Sequence, residues 1–208
     1  MPNCLYEMWI KEYLPKLSVK VCLTQMCSKL FWVILPISAQ SRFGYPDIVF
    51  MFVGEGADKG RLLDISRDKG LSNVLFISQQ PRERVPSFIR ASDVCLVLLK
   101  KAPVFKTVIP TKMLEYMACG RPVILGVEGQ AQQLIEEAQA GLCIEPENTE
   151  ALMNAIITLY KDAKLRDDLG ANGRSYIIDN LSRKSTAERY IKVLESVVAD
   201  WKEKRDSR

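Results

Sequence analysis

The sequence predicts an α/β fold in which a Rossmann-like parallel sheet carries helices on both faces. Three observations lead to this prediction. From about residue 45 onward, short continuous apolar segments alternate with segments of helical periodicity. Such uninterrupted apolar segments are typical of parallel strands that are buried on both sides. The chain of 208 residues is also long enough to bury a core without disulfide or metal cross-links.

The apolar segments and the helical patterns define the elements in order. Strands are predicted at Asp47–Val53, Asn73–Ile77, Asp93–Leu99, Pro122–Leu125 and Leu142–Glu145. Helices are predicted at Ala57–Lys69, Arg82–Ala91, Thr111–Ala118, Gln130–Gln139, Thr149–Asp162, Leu165–Asn180 and Ser182–Lys202. Glycines are placed to end three of these helices, among them Gly141, and Thr149 and Ser182 are placed to cap two others.

A binding site is expected where the strands end. Ligands of doubly wound sheets bind outside the carboxyl ends of the strands, so the turns that follow the strands are the segments of interest. These turns are Gly54–Gly56, Ser78–Pro81, Lys100–Thr111 and Gly126–Gln130.

The two ends of the chain differ from this regular pattern. Residues 1–45 show no clean period of two or 3.6 and predict a poorly specified leader without a match to the domain. A membrane-surface contact is the alternative for this leader. The domain is predicted at residues 46–200, and residues 201–208 are predicted to be a solvated tail. Four apolar residues of the last helix are expected to form an exposed stripe: Tyr190, Ile191, Leu194 and Val198.

The composition excludes several kinds of chemistry. The chain has no histidine, so no histidine of its own can act as a general base, complete a Ser/His/Asp triad or bind zinc. Its six cysteines include no CxxC pair, and they predict reduced, buried thiols rather than a metal or redox site. A net charge of +4 without a clustered basic stripe gives no reason to expect a nucleic-acid partner.

The most specific segment is the one in which a loop enters the predicted helix at Thr111. Thr111 lies at the helix N-terminus, where backbone N–H groups and the helix dipole favour an anion. Lys112 adds a cation in the first turn, and the Glu115 carboxylate can accept hydrogen bonds from a diol. From the residues alone, the alternative is a solvated Lys112 and a Glu115 that pairs with Lys112 or Arg121.

This segment resembles the donor-binding signature of the family 4 (group 1) retaining glycosyltransferases, which have the two-domain GT-B fold. Further motifs follow in the family's order at Val53–Gly56, Asn73–Ile77, Ala91–Val94, Gly129–Leu134 and Ala140–Leu142. The resemblance extends over residues 45–199 and is closest to transferases that build bacterial surface polysaccharides, such as the colanic-acid and O-antigen types.

The resemblance implies a domain, one half of a GT-B fold, that binds a nucleotide diphosphate-sugar for retaining transfer to a polysaccharide or lipid-linked acceptor. Glu115 would hold the ribose hydroxyls, and backbone amides at residues 108–114 would cradle the diphosphate. The turns after two strands would lie near the base. The full set of implied donor-binding residues is Glu115, Lys112, Thr111, Pro110, Thr107, Gly54, Glu55, Ser78 and Gln79. Thr107 stands where the family often has a second acidic residue, and no catalytic residue is assigned.

The resemblance also implies what accompanies the domain. It implies no bound catalytic metal and no cofactor, a separate N-terminal acceptor domain that supplies the family's usual active-site histidine, and a cytoplasmic location. Peripheral contact with the inner face of the membrane is an option. The strand, the glycine turn and the basic residues that open the family's donor half have no match in residues 1–44. Three other functions stay open: a nucleotide-sugar-binding module without catalysis, an epimerase of the same fold that acts on a UDP-sugar, and an inactive fragment.

Overall fold

A computed structural model describes residues 19–23 and 45–206. The chain divides into two compact units, with the division between Arg174 and Ser175.

The first unit is built on a parallel sheet, which confirms the predicted fold class. Its described strands are β1 (Val19–Leu23), β2 (Ile48–Val53), β3 (Val74–Ile77), β4 (Val94–Leu98), β5 (Val123–Gly126) and β6 (Gly141–Cys143). All the pairings among them are parallel, and their order is β3-β2-β1-β4-β5-β6. The chain therefore builds the sheet outward from β1 in one direction and from β4 in the other. Ligands of such sheets bind beside this change of direction.

Strand β1 corrects the prediction that residues 1–45 lie outside the domain. Its five residues pair with β2 over their whole length, and β1 also pairs with β4. Lys20 interrupts this apolar segment, which hid the strand in the sequence. In the structure the Lys20 backbone N–H donates to Asp93 Oδ2 at 2.7 Å, and the Lys20 ammonium lies 3.2 Å from the same oxygen. The rest of the predicted leader, residues 1–18 and 24–44, lies outside the described residues.

Seven α-helices are present in the described residues. They are α1 (Lys59–Asp68), α2 (Val85–Ala91), α3 (Thr111–Ala118), α4 (Gln130–Ala138), α5 (Thr149–Lys161), α6 (Ala163–Tyr176) and α7 (Arg183–Asp206). A 3₁₀-helix, Pro103–Thr107, precedes α3, and a π-helical turn, Ile177–Leu181, separates α6 from α7. Each predicted helix corresponds to one of these helices, and the bounds of α3 are those predicted.

Two predicted helix ends are wrong. Gln139, not Gly141, ends α4, and it does so in the left-handed region with a φ of 46°. Gly141 lies in β6, where an added Cβ atom would overlap the backbone of Val123. Asn148, not Thr149, caps α5, because the Asn148 Oδ1 atom accepts the N–H of the third residue of the helix at 2.9 Å. In both cases the residue at the helix end lies one or two positions before the predicted residue.

The central strands of the sheet are buried on both faces. All the residues of β2 and β4 are buried. Cys22 and Cys95 are register partners on β1 and β4 and are fully buried, and burial raises the pKa of the Cys95 thiol well above its usual range. These two thiols are buried as predicted, whereas Cys119 and Cys143 are partly exposed. Cys4 and Cys27 lie outside the described residues.

The second unit consists mainly of the π-helical turn and α7. Ser182 caps α7 as predicted, because its Oγ atom accepts the N–H of Ser185 at 3.1 Å. The helix continues to Asp206, so the prediction of a tail from residue 201 is wrong for residues 201–206; this segment is rich in good helix formers. The predicted apolar stripe is exposed, by 47–65%, at Tyr190, Ile191, Leu194 and Val198. Among the described residues there is no helix with the length and hydropathy to cross a membrane.

Candidate functional site

A cavity of about 680 Å³ lies at the carboxyl ends of β2 and β3, beside α3. This volume is in the range of sites for small molecules. The cavity has three walls: the turns after β2 and β3, the residues that lead into and form α2, and one face of α3. Its lining residues are Val53, Gly54, Glu55, Gln79, Gln80, Arg82, Val85, Pro86, Ile89, Lys112, Glu115, Ala118 and Cys119. Five predicted site residues are thereby brought together: Gly54, Glu55, Gln79, Lys112 and Glu115.

The turns after β2 and β3 are joined by a carboxylate. Glu55 Oε1 lies 2.6 Å from Lys59 Nζ and accepts the backbone N–H of Gln79 at 3.3 Å. Lys59 Nζ also donates to Ser78 Oγ at 3.3 Å. The hydrogen bond from Lys59 lowers the pKa of the Glu55 carboxyl, and the Gln79 N–H adds to this effect. This wall therefore carries a carboxylate that is held in place by groups from both turns.

Helix α3 is anchored in the core and presents one polar face to the cavity. Met113, Tyr116 and Met117 are almost fully buried, which leaves Lys112 and Glu115 on the cavity side. Lys112 is half-buried; burial lowers the pKa of its ammonium group, and the charge of Glu115 partly opposes this effect. The Lys112 cation is thus partly removed from water before any ligand arrives.

The wall formed around α2 was not assigned to the site from the sequence. Arg82 precedes this helix, and Val85, Pro86 and Ile89 lie on the side that faces the cavity. Val85, Pro86 and Ile89 are spaced so that they share one face of α2. One feature of the sequence could have indicated this wall: the helix with an apolar face follows directly after the predicted Ser78–Pro81 turn. This wall adds a second cation and an apolar surface to the site.

Four predicted site residues do not line the cavity. Ser78 lies next to it and is bound to Lys59. Pro110 and Thr111 begin α3, whose N-terminus has no side-chain cap. Thr107 ends the 3₁₀-helix on the surface, and its hydroxyl donates to a backbone carbonyl of the same 3₁₀-helix at 3.4 Å. Donor binding by these four residues stays a prediction.

The loop after β4 carries lysines that are engaged in ion pairs. Lys101 Nζ lies 2.8 Å from Glu145 Oε1, and Lys106 Nζ lies 2.9 Å from Glu128 Oε2. Gly129 allows this loop to approach closely, because its φ is 85° and an added Cβ atom would overlap the carbonyl of Lys106. The ion pairs offset the charge of these two lysines near the strand ends. Lys112 and Arg82 line the cavity.

The cavity combines groups that suit a particular kind of ligand. Cations at Lys112 and Arg82 favour an anion, carboxylates at Glu55 and Glu115 can accept hydrogen bonds from hydroxyl or amino groups, and apolar side chains of α2 offer a surface for a flat ring. Within residues 19–23 and 45–206, no group of three or more Cys, Asp or Glu side chains is arranged to hold a metal ion.

Comparison with known proteins agrees with the resemblance seen in the sequence. The family model for glycosyl transferases group 1 matches residues 35–176, beginning inside the predicted unmatched leader. WcaI of Escherichia coli (strain K12), a provisionally assigned colanic acid biosynthesis glycosyl transferase, is 27% identical over 158 residues, which are 74% of this chain and 38% of that protein. The lipopolysaccharide core biosynthesis glycosyltransferase LpsE of Rhizobium meliloti is 25% identical over 152 residues, which are 73% of this chain and 43% of LpsE. The chain spans about two fifths of the length of these relatives.

Solved structures share the fold. HepE from Anabaena, in complex with UDP and glucose, superposes with a TM-score of 0.73 at 19% identity, over 94% of this chain and 53% of HepE. The C-terminal domain of LpcC, a group 1 family glycosyl transferase from Francisella tularensis, gives a TM-score of 0.67 at 21% identity, over 85% of this chain and 92% of that domain. The parallel sheet described above is therefore the Rossmann-like half of a GT-B architecture, as the resemblance implies.

Proposed function

Because this chain belongs to the glycosyl transferases group 1, we propose that it is the donor-binding half of a glycosyltransferase. In this proposal the cavity binds a nucleotide diphosphate-sugar, and the sugar is transferred with retention of configuration to a polysaccharide or lipid-linked acceptor. The HepE complex with UDP supports the class of donor, and the assignment of relatives to colanic acid and lipopolysaccharide synthesis supports the class of acceptor.

The observation that carries the proposal is the placement of Lys112 and Glu115 on α3, in one cavity with Gly54, Glu55 and Gln79. A carboxylate one turn into the helix can accept hydrogen bonds from both hydroxyls of a ribose. The uncapped helix N-terminus and the Lys112 cation favour the diphosphate. With these two parts bound along α3, the base is directed toward the turns after β2 and β3.

The proposed chemistry is stabilisation of the leaving group. When the bond between the anomeric carbon and the diphosphate oxygen breaks, its electron pair stays with the nucleotide diphosphate, on which negative charge grows. The N–H groups at the start of α3 and the backbone of Lys112 are held in place by the buried side chains of that helix, so the helix needs no rearrangement to meet this charge. The proposal includes no metal and no cofactor.

A separate acceptor-binding domain completes the proposed enzyme. The chain spans about two fifths of its relatives and has no histidine, so a histidine at the active site would come from that domain. The cavity contains groups for binding but no assigned catalytic residue, which supports a second candidate, a nucleotide-sugar-binding module without turnover. Release of free sugar or nucleotide from a bound donor distinguishes the enzyme from this module. The cytoplasmic location and the peripheral membrane contact stay predictions.

Calorimetric titration of the chain with UDP-, GDP- and ADP-sugars tests the proposal. We expect donors of one nucleotide class to bind. Glu115→Ala should weaken this binding about 10- to 150-fold, because hydrogen bonds to a charged group contribute roughly 1.5–3 kcal/mol. Glu137→Ala, which removes an exposed carboxylate from α4 outside the cavity, is the matched control and should leave binding unchanged.

The outcomes separate the parts of the proposal. Equal binding by the wild type and a folded Glu115→Ala variant would remove Glu115 from the site. Failure of the wild type to bind any of the three donor classes would refute donor binding by this chain. Lys112→Ala should weaken binding more at low salt than at high salt, since screening reduces the attraction between a cation and a diphosphate.

A further inference from the structure

Lys59 stands in an electrostatically unfavourable place, yet its side chain is held firmly. It is the first residue of α1, where a cation opposes the helix dipole, and the first turn contains no acidic residue. The Lys59 side chain is 16% exposed, and its ammonium lies 2.6 Å from Glu55 Oε1. The Lys59 side chain is therefore held by residues outside α1, namely Glu55 and Ser78.

The contacts of Lys59 and Glu55 go beyond a pair of charges on neighbouring turns of the chain. By itself, an ion pair between residues four apart in the sequence joins only neighbouring parts of the chain. Here the same Glu55 Oε1 atom accepts the backbone N–H of Gln79, and the Lys59 ammonium donates to Ser78 Oγ, each at 3.3 Å. Lys59 and Glu55 together therefore tie the turn after β2 to the turn after β3. We refer to these four residues, Glu55, Lys59, Ser78 and Gln79, as the clasp.

We propose that Lys59 is a positioning residue of the donor site, which holds Glu55 and Gln79 in the arrangement that receives the base end of the nucleotide. The inference rests on the proposed function, because both Glu55 and Gln79 line the cavity. Lys59 is absent from the cavity lining and acts through these two residues. The strands beneath the clasp stay paired without it, since Val53 and Ile77 are register partners and the Gly54 N–H donates to the Ile77 carbonyl at 2.9 Å.

Three variants test this role by nucleotide binding. UDP, GDP and ADP are titrated into the chain, and the tightest of them is compared across the variants. Lys59→Met should weaken binding about 3- to 10-fold, the factor that roughly one net hydrogen bond supplies. Lys59→Arg, which keeps the cation and its donors, should restore most of the affinity. Arg67→Met is the matched control, because Arg67 is an exposed cation of α1 whose partner, Asp64, lies on the same helix.

A second measurement reports on the clasp without any ligand. Hydrogen exchange and the NMR chemical shift of the Gln79 backbone amide should change in Lys59→Met. The reason is that the Glu55 carboxylate, which accepts this N–H, is no longer held by the Lys59 ammonium. Both measurements should be unaffected in Arg67→Met. Thermal unfolding should show that both variants remain folded to a similar extent. These readouts distinguish positioning from a general loss of stability.

Several results would overturn the inference. An unchanged Gln79 amide in Lys59→Met would show that Lys59 does not hold the clasp. Unchanged nucleotide affinity in that variant, or an equal loss in Arg67→Met, would show that the clasp does not serve the site. If the wild type binds none of the three nucleotides, both the proposed function and the positioning role in donor binding are refuted. The exchange measurement would still decide whether Lys59 holds the Gln79 amide in place.

Discussion

Replacement of Asp93 by alanine should destabilise the domain through its central strand. Asp93 Oδ2 accepts the Lys20 backbone N–H at 2.7 Å and lies 3.2 Å from the Lys20 ammonium, and the two side chains are 23% and 13% exposed. A hydrogen bond to a charged group contributes about 1.5–3 kcal/mol, and the change also removes a carboxylate from beside a largely buried cation. We expect the free energy of unfolding to fall by about 2–3 kcal/mol, which lowers Tm by roughly 4–12 °C for a chain of this size.

Urea unfolding followed by circular dichroism measures this loss. Asp64→Ala is the matched control, because Asp64 pairs with Arg67 at 3.4 Å in an exposed position, and loss of such a pair costs at most about 1 kcal/mol. Lys20→Met and the double variant complete a cycle, and the coupling energy should exceed about 0.5 kcal/mol. A loss in Asp93→Ala no larger than that in Asp64→Ala would refute a stabilising role for the contacts between Asp93 and Lys20.

Two further predictions concern the loop after β4 and the cavity. Gly129→Ala should lower the free energy of unfolding by at least about 1–3 kcal/mol, because the backbone there has a φ of 85° and the new Cβ atom would overlap the Lys106 carbonyl. The control is Gly60→Ala in α1, which has open space around the new Cβ atom and should be neutral or stabilising. A Gly129→Ala variant as stable as the wild type would contradict the close approach of the loop. Alkylation of Cys119, followed by peptide mass spectrometry, should be slowed by a bound nucleotide because Cys119 lines the cavity. Since burial raises the pKa of this thiol, the rate should also rise at a higher pH than that of an ordinary exposed cysteine. Equal rates with and without a saturating nucleotide would place Cys119 outside the occupied part of the cavity.

The sheet could be predicted wherever a strand is apolar throughout. β2 and β4 were identified in this way, since all their residues are buried. β1 was missed because a charged residue stands second in a strand of five, and the residue that satisfies it, Asp93, is distant in the sequence. β6 was placed too late in the chain because Gly141 suggested a helix end, whereas its missing side chain serves the close approach to β5.

The polar face of α3 could be predicted because its signal is local. Lys112 and Glu115 lie one turn apart on a helix of eight residues that begins after a loop, and the helix has the predicted bounds. The positions of Lys59 and Arg82 were not predicted, because they depend on how distant segments meet in space. Lys59 contacts the turns after β2 and β3, and Arg82 reaches the cavity from the residues that precede α2. In the sequence, Lys59 and Glu55 resemble an ordinary surface pair, and the contact with Ser78 that changes this interpretation is nineteen residues away.

In the proposed function, the distribution of charge favours α3 over the loop after β4 as the place for the anionic part of a donor. The ammonium groups of Lys101 and Lys106 already lie beside carboxylates at 2.8 and 2.9 Å, so a diphosphate would have to compete with them. At Lys112, burial lowers the pKa of the ammonium group, which means that its charged form is destabilised in the cavity relative to water. An anion that enters beside Lys112 relieves this destabilisation, and the ammonium has less water to lose on binding than an exposed lysine would. Binding of a diphosphate should therefore raise the pKa of Lys112, an increase that NMR titration of its side chain would measure with and without nucleotide; no increase would place the diphosphate elsewhere.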